Sequence, residues 1–129
     1  YALDVMTLPG DAVIGLSEIT TLPNGTFAII ERDGLAGTQA VQKKIYGVDL
    51  AAANFQPFGS PLTTVPKMLL ADVLDELQAN TIYTPDKLEG LAVAADGEVY
   101  MVTDNDGLDN AIGQTLFLGL GPVGSALAG

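Results

Sequence analysis

Cysteine, histidine and tryptophan are all absent from the chain. Without the first two there is no disulfide staple, no thiolate nucleophile, no Cys/His zinc site and no Ser-His-Asp triad within this chain. Basic residues are scarce as well: 5 stand against 16 acidic ones, and the net charge is -11. That balance repels phosphate backbones and anionic headgroups, so the expected partners include no nucleic acid and no membrane surface. It favours cations, calcium foremost, because calcium takes oxygen ligands from carboxylates and carbonyls. The same acidity also serves solubility alone. No run of residues has the length of a membrane span. The opening "YALDVMTLPG" has neither a basic n-region nor an apolar h-region, and Tyr1 is not an initiator Met. The expectation is a chain that has been processed or cut from a longer one.

What is present is core-forming. The 129 residues are 48% hydrophobic and 16% charged, enough for one small domain, and 15 Gly with 7 Pro suit many short turns. Strand patterns dominate. Tyr1–Met6 is a short apolar run closed by "LPG". Ile19–Leu22 and Thr26–Ile30 flank Asn24-Gly25, a dipeptide suited to a tight hairpin. Lys44–Leu50 alternates, Leu91–Ala95 and Val99–Thr103 flank Asp96-Gly97, and Thr115–Leu120 is a last strand. Leu70, Val73, Leu74 and Leu77 follow helical spacing, which predicts a short helix over 72–79, with Lys67–Ala71 as a possible strand leading into it. Ala51–Val65, with few charges and two Pro, reads as a long surface loop.

Superimposing the hairpins brings Gly25 onto Gly97, Phe27 onto Val99 and Ile29 onto Met101. Carboxylates precede both hairpins (Glu18 and Glu89, one position out of step) and follow both (Glu31/Asp33 and Asp104/Asp106). The chain therefore reads as all-β: two copies of a four-stranded antiparallel unit, over 1–50 and 51–129, as in propeller blades. Two unrelated hairpins in a sandwich are the alternative.

The motifs carry a resemblance. "SEITTLPNGTFAIIERD", "IYGVDL" and "EGLAVAADGEVYMVTDND" occur in this order, flanked by "YALD" and "TLFLGL". The set resembles the phytase-like family of β-propellers, described by an esterase-like activity of phytase, and matches the family's last two blades. The resemblance implies an exported hydrolase, secreted or periplasmic, acting on small phosphorylated substrates. It also implies that the remaining blades come from the same precursor or from other protein subunits, since each blade buries a face against each neighbour.

Within that frame Glu18, Glu31, Asp33, Glu89, Asp104 and Asp106 are candidate metal ligands at one strand-end funnel. Clustered carboxylates raise one another's pKa unless a cation neutralises them, and Ca2+ is the expected ion. Glu89 and Asp104 are the candidate catalytic carboxylates, and Arg32 a candidate substrate-binding cation. The plainer reading makes the acidic side chains strand-end caps that satisfy turn backbone groups, and Arg32 their ion-pair partner. Lys43, Lys44 and Lys87 are expected in solvent. "DNDGLDN" fails EF-hand spacing, "GLGPVG" lacks the helix and second strand of a dinucleotide fold, and "NGT" is a sequon in a hairpin turn. Ser17 lacks both a second Gly and a His partner, so it is no nucleophile elbow. The competing function is a non-catalytic structural or binding module of a larger extracellular assembly.

Overall fold

The computed structural model describes residues 1–80, 84–105 and 115–129. Among them the chain forms two antiparallel meanders, the arrangement of propeller blades. The first sheet runs β1 (Ile14–Thr21), β2 (Phe27–Asp33), β3 (Lys43–Val48) and β4 (Met68–Asp72), neighbours in that order. The second runs β5 (Lys87–Val93), β6 (Glu98–Asp104) and β7 (Phe117–Pro122). Helix α1 (Leu74–Asn80) follows β4, and a one-turn helix α2 (Val123–Ala126) follows β7. The fold is all-β, with three strands among the described residues of the second sheet.

Three local expectations change. Residues 1–6 form no strand; Tyr1 and Asp4 instead hydrogen-bond to Glu31. The first sheet extends past residue 50, because the chain crosses its long loop and returns to pair Asp72 with Lys44 and Leu69 with Tyr46. For the same reason the helix starts at Leu74. Asp72 still belongs to the ladder, and its Oδ1 accepts the Leu74 N–H at 3.2 Å. Leu70, spaced as if helical, is a buried strand residue.

The two hairpins repeat each other to the level of single hydrogen bonds. In the first, Leu22 N–H donates to Thr26 O at 2.8 Å, Gly25 N–H to Leu22 O at 2.9 Å, and Thr26 N–H to Asn24 Oδ1 at 3.0 Å. In the second, Ala94 N–H donates to Glu98 O at 2.8 Å, Gly97 N–H to Ala94 O at 2.9 Å, and Glu98 N–H to Asp96 Oδ1 at 3.1 Å. The left-handed backbone falls on the glycines, φ 84° at Gly25 and φ 87° at Gly97. Each first strand also skips one residue of register, at Ser17 in β1 and at Glu89 in β5. These β-bulges re-aim the side chains at that end of the sheet.

The core lies between the sheets. Ala28, Ile30, Ile45 and Leu70 from the first meet Leu88, Leu91, Val99 and Met101 from the second, with Val73 and Leu77 at the α1 corner and Leu127 after α2. One hydrogen bond also links the C-terminus to the first sheet, Gly129 N–H donating to Leu70 O at 2.7 Å, while Val123 N–H donates to Gly97 O at 2.8 Å within the second unit. The outward faces remain apolar. Leu16, Ile19 and Leu69 are exposed on the first sheet, and Phe117, stacked on Tyr100 at 5.1 Å, on the second.

Gly97→Ala forces a side chain into the left-handed region and lowers unfolding free energy by about 1–2 kcal/mol. Gly15→Ala meets no atom within 4 Å; its cost stays within about 0.5 kcal/mol, the usual range for such sites. Urea denaturation of both variants checks the contrast.

Candidate functional site

The end of the sheets that carries both bulges gathers Ser17, Arg32 and Glu89, and β6 ends there at Asp104. The ladder pairs Gly15 with Arg32 and Lys87 with Asp104, which sets these residues at the same end of the two hairpins. Ser17 Oγ–H donates to Leu88 O at 2.6 Å, and Arg32 Nε–H donates to the same carbonyl at 3.0 Å. Arg32 Nη1 donates to its neighbour's carbonyl, Asp33 O, at 3.2 Å, while Nη2 forms an ion pair with Glu89 Oε1. The Arg32 guanidinium is thus shared between the sheets, with its side chain 16% exposed and that of Glu89 35% exposed. Asp104 is exposed.

Asp33 and Lys43 form the buried part of the site, both side chains 0% exposed. Asp33 Oδ2 accepts the Val41 and Gln42 N–H groups at 2.7 Å each; Oδ1 accepts Leu35 N–H at 3.1 Å and Lys43 Nζ at 2.7 Å. Lys43 Nζ also donates to Asp33 O at 3.1 Å, Leu35 O at 2.9 Å and Asp86 O at 2.8 Å. Burial alone pushes the Asp33 carboxyl up. The Lys43 ammonium and the two backbone N–H groups outweigh it and hold the carboxyl below its ordinary value. Lys43 is therefore an internal cation, and the expectation that it lies in solvent is corrected. Its register opposite Arg32 turns it toward the interior of the sheet pair.

Glu31, fully buried, faces the opposite side of β2. Its Oε2 accepts Tyr1 Oη–H at 2.9 Å and Lys67 Nζ at 2.7 Å, and its Oε1 accepts Asp4 N–H at 2.6 Å. Glu18 is half-buried on β1, where its Oε1 accepts the Ile19 N–H at 2.9 Å. Asp106 lies outside the described residues.

The six carboxylates named from the sequence thus divide by environment. Glu31 and Asp33 have oxygens filled by protein donors, so they do not fit a cation's inner shell. Glu89 is half-exposed and paired with Arg32, and Asp104 is exposed at the solvent rim. Among the described residues no three acidic groups converge on one point. The hairpin equivalence explains why "ERD" and "TDN" behave differently. Counted from the aligned glycines, Glu31 corresponds to buried Thr103, and Arg32 to exposed Asp104. Glu18 and Glu89 are not counterparts either, since the bulge position of Glu89 matches Ser17. Sequence reasoning missed Tyr1, Asp4, Gln42, Tyr46 and Lys67. Nothing in local spacing joins Asp4 to Lys67; only the return of the chain to β4 does.

Two antiparallel meanders with matched hairpin bulges and a charged seam between them define a propeller-blade protein of the all-β class. The family profile described as "Phytase-like: Esterase-like activity of phytase" matches residues 1–107. The chain belongs to the phytase-like family. No curated protein and no solved structure gives a significant match.

Lys43→Met leaves the Asp33 carboxylate buried without its cation, and unfolding free energy falls by about 3–5 kcal/mol in urea titration. Acid has a defined effect too. The Asp33 and Asp4 carboxyls both lie below their ordinary values, Asp4 because Lys67, Tyr46 and Gln42 outweigh its desolvation. A depressed folded pKa gives stability that is present above the unfolded value, about 3.9, and lost as pH falls through the folded one. Stability therefore holds from neutral pH to about 5 and declines below about 4, as circular dichroism across a pH series will show.

Proposed function

We propose that this chain is part of an exported propeller hydrolase acting on phosphoesters, with the Glu89–Asp104 rim as its contribution to the active site. The observation that carries the reading is the family match over residues 1–107, which spans both bulged hairpins. The rim has groups a phosphoester site can use: a half-exposed carboxylate, Glu89, paired with the Arg32 guanidinium, and the exposed carboxylate of Asp104 at the same end of the hairpins. Asp104 and Glu89 would hold calcium, with further oxygens from the neighbouring blades, and calcium when bound supplies Lewis-acid polarisation of a phosphoryl oxygen. Arg32 holds Glu89 in place and offers positive charge to a substrate phosphate at the same edge. Ser17, donating to Leu88 O, fixes the bulge on which Glu89 stands.

A second reading has its own support in the apolar outer faces. Leu16, Ile19 and Leu69 on one sheet and Phe117 on the other fit contact with further blades or subunits. In that reading the chain is a non-catalytic module of a larger extracellular assembly, and Arg32–Glu89 is a structural seam.

Hydrolysis of a chromogenic phosphomonoester, with calcium and with chelator, separates the two. For the enzyme, chelation abolishes turnover, and Glu89→Gln or Asp104→Asn each lowers kcat/KM by about 10²-fold or more at unchanged circular dichroism. Activity retained in both variants removes the site assignment, and no hydrolysis under any condition leaves the binding module.

A further inference from the structure

Away from the rim, the outer side of the first sheet encloses the Lys67 ammonium. Two rings stand over it: Nζ lies 4.1 Å from the Tyr46 centroid and 4.8 Å from that of Tyr1. The rings meet edge to face, 6.4 Å apart at 81°. Two carboxylates complete the enclosure, Asp4 Oδ1 at 2.8 Å and Glu31 Oε2 at 2.7 Å. Ring faces and carboxylates together are the chemistry that recognises alkylammonium ions.

Most of the enclosure is fixed by contacts that do not involve Lys67. Tyr46 Oη–H donates to Asp4 Oδ2 at 2.5 Å, Gln42 Nε2 donates to the same oxygen at 3.1 Å, and Tyr1 and the Asp4 N–H hold Glu31. Gln42 supplies an independent observation. Its side chain is fully buried and its Nε2 is bonded to Asp4, yet its Oε1 meets no hydrogen-bond donor among the described residues. A buried amide oxygen left over, on the side chain whose Nε2 meets the cage carboxylate, calls for a further N–H. An ammonium has three, and Lys67 directs its charge to two carboxylates. Two carboxylates and one amide oxygen offer at most five oxygens, and both Glu31 oxygens and Asp4 Oδ2 already accept donors other than Lys67, short of the six to eight oxygens that calcium takes.

Lys67 itself closes a stretch without regular structure, just before β4. Residues 53–67 contain no helix or strand, and Phe55, Phe58 and Leu62 on that stretch are exposed. Withdrawing the lysine therefore disturbs little of the core. We propose that the Tyr1–Tyr46–Asp4–Glu31 cage is a binding site for a primary alkylammonium ion, and that Lys67 is its tethered occupant, a latch that a competing amine displaces. The site is separate from the Glu89–Asp104 rim and does not depend on the hydrolase reading.

Lys67→Met keeps the aliphatic stem and removes the ammonium, so thermal unfolding of this variant tests the cage. n-Butylammonium, at about tenfold excess over its dissociation constant, raises the midpoint by about 4 °C, saturably. Sodium chloride at equal ionic strength does not, and adding Tyr46→Leu removes the response. A short peptide with one lysine and blocked ends serves as the second probe. A rise with this peptide as well assigns the site to lysine side chains of a partner; a rise with butylammonium alone assigns it to free amines. Equal shifts with amine and sodium chloride overturn the proposal. Should Lys67→Met fail to fold, butylammonium is titrated into the wild-type chain, and saturable movement of the Tyr46 ring resonances is the expected result. Resonances that stay fixed, or that move equally with sodium chloride, overturn the proposal.

Discussion

The buried contact between Asp33 and Lys43 is the constraint around which the described chain is organised. One carboxylate accepts four donors, and one ammonium meets carbonyls from the end of β2, the loop after it and the entry to β5. The pair closes the β2–β3 connection and sets the height at which the second sheet meets the first. An ion pair this deep adds little net stability over an apolar replacement, because both groups lose hydration. What it does impose is geometry: few other backbone paths bring those carbonyls to one ammonium. The hydrophobic core between the sheets can tolerate sliding. The Lys43 contacts cannot.

That fixed geometry gives the bulges their use. With β2 and β5 locked through Lys43 and Asp86, Glu89 projects from its bulge toward Arg32 on the neighbouring sheet. The two hairpins share turns, hydrogen bonds and register skips, yet they differ at the three residues that end β2 and β6. In the first copy these residues are consumed inside the fold. In the second, Asp104 is left at the surface. The two hairpins thus differ at this end, the first sending Arg32 into the seam and the second leaving Asp104 exposed.

Much of this architecture is legible in the sequence. Asn24-Gly25 and Asp96-Gly97 mark the hairpins because only a few residue types suit such turns, and the alternation around them survives in the strands. The family motifs are legible for the same reason, being ordered around those turns. The helix onset was misplaced by two residues because Leu70 and Val73 satisfy helical spacing and strand burial equally well; only the pairing of Asp72 with Lys44 decides. Lys43 could not be told from Lys44 by pattern. Its burial depends on acceptors brought from Leu35 and Asp86, and the second of these lies just before β5 of the other sheet. The cage around Lys67 was invisible for a similar reason, since its walls come from three distant segments. The separation of the carboxylates into filled and solvent-facing groups likewise needs donors that spacing does not reveal.

The chain has five basic residues, and three of them, Arg32, Lys43 and Lys67, are turned inward onto its own acids. Lys44 and Lys87 are the other two. Seen from a distance the molecule keeps its net charge of -11, and the apolar side chains exposed on its outer faces lie within that field. Two such surfaces approach slowly in dilute buffer and more readily once salt shortens the Debye length to about 10 Å or less. Ionic strength thus sets how closely two copies of such a surface approach, acting through the net charge of -11.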